Sequence, residues 1–399
     1  MASSYLFLIV IGTLVTGAAN SLFTKYQDNQ CVRNCSNPDV STHKNFEQPG
    51  IQTFQMFVGE FAMIFVYYLI YKSKYGIQSR NEGYTQIGGE QNSDEAQQEQ
   101  SKSSKISVFE NWKLVIPAAC DLFCTTLLNI GLVYTPVSIY QMTRGSVVLF
   151  VAMLSVLFLN RKITKLEWVS LFFVSLGVAL VGLSGSKNAE SSSTTDGVSL
   201  SGLVILGISL IVVGELLQAF QFVIEEHILD KHPIVPLQIV YSEGFFGCAI
   251  LLVGMIILSI IVGAIQSPEQ FEESPFNLVE AVSQVVHSKQ VFLSSICIMI
   301  SIAIFNYCGI TLTHELSATA RSTIDTCRTL LVWILAILMG WEQFHLLQFF
   351  GFAVLVFGTL CFNGILTPEN WPFIPQWLKE DTNPEGRLID VVDEQIERM

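Results

Sequence analysis

An all-α polytopic membrane protein, with ten transmembrane helices in two inverted five-helix repeats, is the fold this sequence predicts. Three observations lead there. The chain of 399 residues is 51% hydrophobic and only 14% charged, whereas a soluble domain carries roughly 25% charged residues. Its apolar residues fall into runs of roughly 20, the length needed to cross about 30 Å of hydrocarbon. Polar residues inside those runs recur at a nearly constant offset between the two halves. Runs such as 203–213 do not alternate, which sets aside the β-barrel, whose strands do. A net charge of −13 sets aside a nucleic-acid partner, whose phosphates need clustered Lys and Arg.

In chain order the spans read 5–24, 51–71, 113–133, 137–159, 167–185, 199–223, 237–265, 291–313, 317–339 and 343–366. The first carries Gly17-Ala18-Ala19, a small-residue stretch like a signal-peptide cleavage site. No Lys or Arg precedes it and the repeat needs it, so it is expected to be retained. Residues 1–185 form the first repeat, interrupted by 72–111, which is rich in Gln, Ser and Glu and is expected to be a disordered cytosolic insert. Residues 186–198 are a lumenal linker and 199–366 the second repeat. Within it, 266–290 should place a short amphipathic helix at the lumenal interface. An acidic cytosolic tail, 367–399, ends the chain. Orientation follows from Lys and Arg counts: thirteen lie in the even-numbered loops and the tail, counting Lys113 at the edge of the third span, and five in the odd-numbered loops. Both termini are therefore expected in the cytosol.

The repeat is visible in particular residues. Gln55 precedes Glu60 by five positions, and Gln238 precedes Glu243 by the same five, at an offset of 183. Gly177 and Gly358 are offset by 181. Arg144 meets Arg328 only after a slip to 184; without it the partner is Ile324. Five spans per repeat, an odd number, invert the second copy in the membrane. Inverted repeats are the architecture of secondary transporters, with the binding site near the midplane between halves.

Motifs along the whole chain carry a family resemblance. They include Leu14-Val15-Thr16-Gly17, Asn20 and Lys25; Met56-Phe57-Val58-Gly59-Glu60-Phe61; Pro117 with Cys120-Asp121; and Gln141-Met142 with Arg144-Gly145. In the second half come Glu225-Glu226, Glu243-Gly244-Phe245-Phe246-Gly247, Phe305-Asn306, Glu315-Leu316-Ser317-Ala318-Thr319, Arg321, Asp325 and Arg328-Thr329. Gly340-Trp341-Glu342 and Phe344-His345 close the set. Over roughly four-fifths of its length the chain resembles the drug/metabolite transporter superfamily (EamA-type membrane proteins). More closely it resembles the F-type, nucleotide-sugar-transporter-like branch of solute carrier family 35. The resemblance implies two inverted five-helix repeats, alternating access to a central cavity, and an endomembrane seat, lysosomal or vacuolar, with the Golgi as the alternative. A more distant likeness is to vacuolar chloroquine-resistance-type transporters. Those pair cysteines in the loop before the eighth helix, and 266–290 here has none.

Charged groups at the bilayer centre are costly, so they mark function or pairing. Eight stand in or near the spans: Glu60, Asp121, Arg144, Glu215, Glu243, Arg321, Asp325 and Arg328. Arg321, Asp325 and Arg328 share one face of the ninth helix, extended by Ser317, with Asp325 placed to orient two guanidinium groups. Structural self-neutralisation of that triad is the bland alternative. Gln141 and Arg144 share a face of the fourth helix, where substrate contact competes with packing of Arg144 against Asp325 or Glu60. Asn20 sits on a polar stripe of the first helix, and Glu215, Gln218, Phe222 and Glu225 form another on the sixth. Glu60 and Glu243, equivalent in the repeat, are candidate proton carriers or simple structural hydrogen-bonding groups. Asn20, Glu60, Gln141, Arg144, Glu215, Glu243, Arg321, Asp325 and Arg328 are the expected substrate pathway. Among these charges five acids face three arginines, which does not favour an anionic nucleotide sugar over cations, amines or proton coupling.

Cys31 and Cys35 fall in the first lumenal loop, where a disulfide is chemically permitted. Asn34-Cys35-Ser36 is a glycosylation sequon that would compete with it. Tyr84-Thr85-Gln86-Ile87 fits a tyrosine-based sorting signal and so a sorting adaptor; a homodimer is a further candidate assembly. No metal or cofactor is expected. His314-Glu315 starts a zinc-protease-like pattern, but Ala318 stands where the second His is needed. Gly182 to Lys187 lacks the second glycine of a phosphate-binding loop. The sequence therefore predicts no enzyme but a secondary transporter of a small polar or charged organic solute. The alternative is a non-transporting scaffold acting through its insert and tail.

Overall fold

The structure is a computed structural model that describes residues 2–33, 48–82, 112–135, 137–159, 163–191, 200–231, 234–267, 277–340 and 346–362, with a few isolated positions besides. Twelve α-helices are found among the described residues. They are α1 (Ala2–Asp28), α2 (Pro49–Glu82), α3 (Val115–Tyr134), α4 (Val137–Arg144), α5 (Val147–Leu159) and α6 (Lys165–Ser191). They continue with α7 (Leu200–Lys231), α8 (Pro236–Ile265), α9 (Leu278–His287), α10 (Lys289–Glu315), α11 (Ala318–Leu338) and α12 (Leu346–Phe362). A short antiparallel ribbon, β1 (Cys31–Arg33) with β2 (Lys44–Asn45), joins α1 to α2, and a Cys31–Cys35 disulfide pins its start. Asn34, Tyr84 and nearly all of the tail after Thr367 lie outside the described residues.

Seven segments are long and apolar enough to cross a membrane, with α4 and α5 counted together. α12 is shorter, at 17 residues. α11 carries Arg321, Asp325 and Arg328 inside its length. Burial runs opposite to that of a soluble protein. Phe65 and Leu157 are each 70% exposed, while Glu215 and Glu225 are fully buried. Apolar side chains facing outward and polar ones facing inward are what a hydrocarbon solvent selects.

Two expected boundaries move. The second span continues as helix to Glu82, so the first part of the expected insert is helical. The fifth extends to Ser191, taking up much of the expected linker. The fourth span is not one helix: it breaks after Arg144. Gly145 N–H donates to Met142 O at 3.1 Å and Ser146 N–H to Thr143 O at 2.9 Å, a tight turn that ends α4 before α5 begins. Interrupted helices of this kind are tolerated in membranes where they border protein or a water-filled cavity.

Local chemistry sets the other ends. Thr164 and Glu167 form a reciprocal capping box at the start of α6: Thr164 N–H donates to Glu167 Oε2 (2.7 Å) and Glu167 N–H to Thr164 Oγ1 (3.3 Å). Pro236 opens α8, at a position where its missing N–H costs nothing. Ser317 caps α11 by accepting from Ala320 N–H, and Glu226 of α7 accepts from Ala318 N–H (3.0 Å). Residues 278–287 do form the short helix expected there, with Val279, Val282 and Val286 exposed along it.

The most extensive packing is α1 on α10, α3 on α7, α2 on α8 and α6 on α12, with α4 and α5 against α11. Glycines permit some of these approaches. A Cβ on Gly244 of α8 would stand 2.3 Å from the Phe61 nitrogen of α2, and one on Gly59 2.3 Å from the Met299 carbonyl oxygen of α10. Leucine at position 244 must push two backbones apart. Overpacking of that kind costs about 1–3 kcal/mol, so Gly244→Leu should lower the melting temperature of the purified protein. Gly254 of the same helix has nothing within 4 Å, and Gly254→Leu should leave the melting temperature unchanged. Equal melting temperatures for the two variants would contradict this packing.

Candidate functional site

A cavity of about 960 Å³, counting its open mouth, runs into the middle of the bundle between α1, α2, α3, α4, α7, α10 and α11. Its lining comes from the later residues of α1 (Asn20 to Lys25) and the early ones of α2 (Thr53 to Glu60), and from Tyr140, Gln141 and Arg144 of α4. All three segments lie toward the end of the bundle that bears the Cys31–Cys35 ribbon. The cavity therefore faces that end and stops near mid-bundle, where Asp121, Gln218, Asn306 and Arg328 line it.

Two arginines meet the cavity on one side. Arg144, in the last turn of α4, donates from Nε to Glu215 Oε1 at 3.2 Å. Its two terminal amino groups make no hydrogen bond with the described residues. A cation also suits this place because the C-terminal carbonyls of α4 carry partial negative charge. Arg328 grips Asp325 with two bonds, Nε to Oδ1 at 2.7 Å and Nη2 to Oδ2 at 3.0 Å, and reaches Ser21 Oγ with Nη1 at 3.3 Å. Its guanidinium lies 5.0 Å from the centre of the Phe305 ring. A fork-on-fork pair of this kind holds the arginine in one geometry. Asp325 and Glu215 stand behind the arginines and do not line the cavity themselves.

Carboxylates meet the cavity from the α2 and α3 side. Glu60 accepts from Asn306 Nδ2 at 2.5 Å, and Asp121 accepts from Thr125 Oγ1 at 3.4 Å. Beyond them, away from the mouth, Arg321 of α11 is ion-paired with Glu225 of α7 and lies 3.9 Å above the Phe222 ring. Both partners are buried. Neither residue lines the cavity. Several buried acceptors near the cavity, Gln141 Oε1, Gln218 Oε1 and Glu215 Oε2, have no hydrogen-bond partner among the described residues. Buried polar groups are normally satisfied by protein or water, so Gln141 Oε1 and Gln218 Oε1, on the lining itself, are acceptors available to whatever fills the cavity.

A family model described as nucleotide-sugar transporter matches residues 86–262. An uncharacterized protein of Schizosaccharomyces pombe is 36% identical over 359 residues, covering 90% of this chain and 98% of that one. Solute carrier family 35 member F6 of Mus musculus is 33% identical over 359 residues, covering 89% of this chain and 87% of the relative. The chain belongs to solute carrier family 35. It is an integral membrane transporter and not an enzyme. A solved crystal structure matches this family 35 chain with a TM-score of 0.52 at 11% identity, over 90% of this chain and 96% of that one; that likeness is one of fold.

The residues singled out from the sequence of this family 35 transporter divide into three sets. Asn20, Glu60, Gln141, Arg144 and Arg328 line the cavity. Glu215 and Asp325 stand behind its arginines. Arg321 and Glu243 lie deeper and do not line it. Asp325 orients one guanidinium by direct contact, that of Arg328, because Arg321 is taken by Glu225. Arg144 packs on Glu215 rather than on Asp325 or Glu60. Glu225 carries the deepest ion pair, although its position just past the expected end of the sixth span kept it off the list of intramembrane charges. The stripe Gln218, Phe222, Glu225 was the signal that pointed to it.

Proposed function

We propose that the protein is a secondary transporter of an endomembrane, lysosomal or vacuolar by its family resemblance, that moves a small polar or charged organic solute by alternating access. The observation that carries this reading is the cavity. Its described lining runs from the ribbon end to mid-bundle, where it meets charged and unsatisfied polar groups. The ribbon end is taken as lumenal, where an oxidising compartment permits the Cys31–Cys35 disulfide. The Arg321–Glu225 pair, together with the Glu226 cap on α11, then forms the closure on the cytosolic side.

Helix pairing supports ten spans in two inverted repeats. If α1, α2, α3, α4–α5 and α6 correspond in order to α7, α8, α10, α11 and α12, a two-fold axis exchanges the α1–α10 contact with α7–α3. It maps α2–α8, α5–α11 and α6–α12 each onto itself. The α1–α10, α3–α7, α2–α8 and α6–α12 contacts are the four most extensive, and α5–α11 is present as well. Gly177 and Gly358, equivalent in the repeat, each face the backbone of the other's helix: Leu355 N for the first, Ser170 O and Val174 N for the second. Rocking of one repeat against the other would carry a midplane site from one face to the other.

A thermal-shift screen of the purified protein over nucleotide sugars, amino acids, peptides and amines should find stabilising compounds. Liposomes holding the protein should take those compounds up saturably. Deleting 83–111 and 367–399 should leave that uptake within about twofold of wild type, since the charged and polar groups proposed to hold the solute all lie outside those segments. Loss of uptake on deletion, with folding intact, would count against the cavity as the seat of function.

A further inference from the structure

The charges that reach the cavity are sorted by wall. α2 packs on α8, α10 and α3, and α11 packs on α1, α5, α4, α10 and α12; α10 is the neighbour they share, and the α2–α3 side and the α4–α11 side flank the space on either side of it. On the α4–α11 side the cations Arg144 and Arg328 meet the cavity, with Lys25 of α1, the helix packed on α11, adding a third cation near the mouth; the carboxylate partners of the two arginines stand behind them. On the α2–α3 side the cavity meets Glu60 and Asp121. Behind those two lie Glu225 and Glu243, with Arg321 the cation among them. Among the described residues, Arg144 keeps both terminal amino groups unbonded and Asp121 has a single hydroxyl hydrogen-bond partner. Uncompensated charge at this depth is expensive. Two walls of opposite sign aimed into one cavity are therefore matched by a guest that carries both signs.

We infer that the transported solute is zwitterionic, its anionic group held by Arg144 beside Arg328 and its cationic group by Asp121 and Glu60 on the opposite wall. The inference rests on the carrier reading above and narrows it to a class. A nucleotide sugar, anionic throughout, would place negative charge against the carboxylate wall. A simple amine would leave the two guanidinium groups without an acceptor. The Phe305 ring, under Arg328, and the Tyr140 ring, 5.6 Å from the Arg144 guanidinium, limit the free rotation of both cations and so fix where an anion can sit.

The test uses matched compounds on the full-length purified protein. γ-Aminobutyrate is compared with butyrate and butylamine, and alanyl-alanine with its N-acetyl and its amide forms; UDP-galactose serves as the anionic control. Affinities come from thermal shift and calorimetry, and transport from uptake into liposomes. At least one zwitterion should bind roughly 10- to 100-fold more tightly than either of its single-charge analogues, the weight of one hydrogen bond between charged groups. Arg144→Gln should erase the preference for the zwitterion over the amine analogue. Asp121→Asn should erase the preference over the anion analogue. Each loss of preference is read within one folded variant, so a general loss of stability cannot imitate it. Equal binding of zwitterion and anion analogue by the wild type, or uptake of UDP-galactose with none of the zwitterions, overturns the inference and leaves the carrier standing. No uptake of any compound overturns both.

Discussion

Arg321→Ala will destabilise the protein by about 3–5 kcal/mol, the usual result of removing one partner from a buried ion pair. The reason is local. Arg321 is 3% exposed and Glu225 is wholly buried. Once the guanidinium is gone, Glu225 keeps, among the described residues, only the amide of Gln221, at 2.7 Å, as a hydrogen-bond partner. Glu60, Asp121 and Glu243, its electrostatic neighbours, then lose the cation nearest to them as well. The stacked Phe222 ring loses its cover too. Replacing both partners with methionine should restore most of the stability, because no charge is then left buried. Thermal melting of the single and double variants in one detergent checks this. A single variant as stable as wild type would show that the pair is not the closure described here.

Arg144→Ala will abolish uptake, by about 100-fold or more, if its two unbonded amino groups hold the solute with charge-assisted bonds. The same change strips Glu215 of its one bonded partner among the described residues, so the informative variant combines Arg144→Ala with Glu215→Gln. That pair removes the positive group without leaving a buried carboxylate unpaired. It should fold, as judged by a single symmetric elution peak and a cooperative melt, and still fail to transport. Arg144→Lys should recover part of the uptake, as a point charge without the planar fork. Full uptake by the double variant would remove Arg144 from the solute path.

The legible part of this fold is the part dictated by solvent. A helix in hydrocarbon must be long and apolar, so α1, α3, α7, α8 and α10 could be read directly from runs of apolar residues. Helix ends beyond the membrane carry no such signal, which is why α2 and α6 extend past their expected limits. The break after Arg144 was hidden because glycine is common in membrane helices. One such residue at position 145 does not announce a turn. The pairing of Arg328 with Asp325 lies within one helix turn and is visible as spacing. The pairing of Arg321 with Glu225 spans 96 positions and depends on how α7 meets α11. Counting five acids against three arginines treated the charges as one pool. In three dimensions they are divided by wall, and at the cavity surface Arg144 and Arg328, with Lys25 near the mouth, face Glu60 and Asp121.

The central claim is that this chain carries a solute through the cavity between Arg144 and Asp121. Liposomes containing wild-type protein, preloaded with a compound that stabilises it in the thermal-shift screen, test it by counterflow of the radiolabelled compound. The account predicts saturable counterflow by the wild type and none by the Arg144→Ala, Glu215→Gln variant. Binding without counterflow in the wild type, or equal counterflow in both, would contradict it.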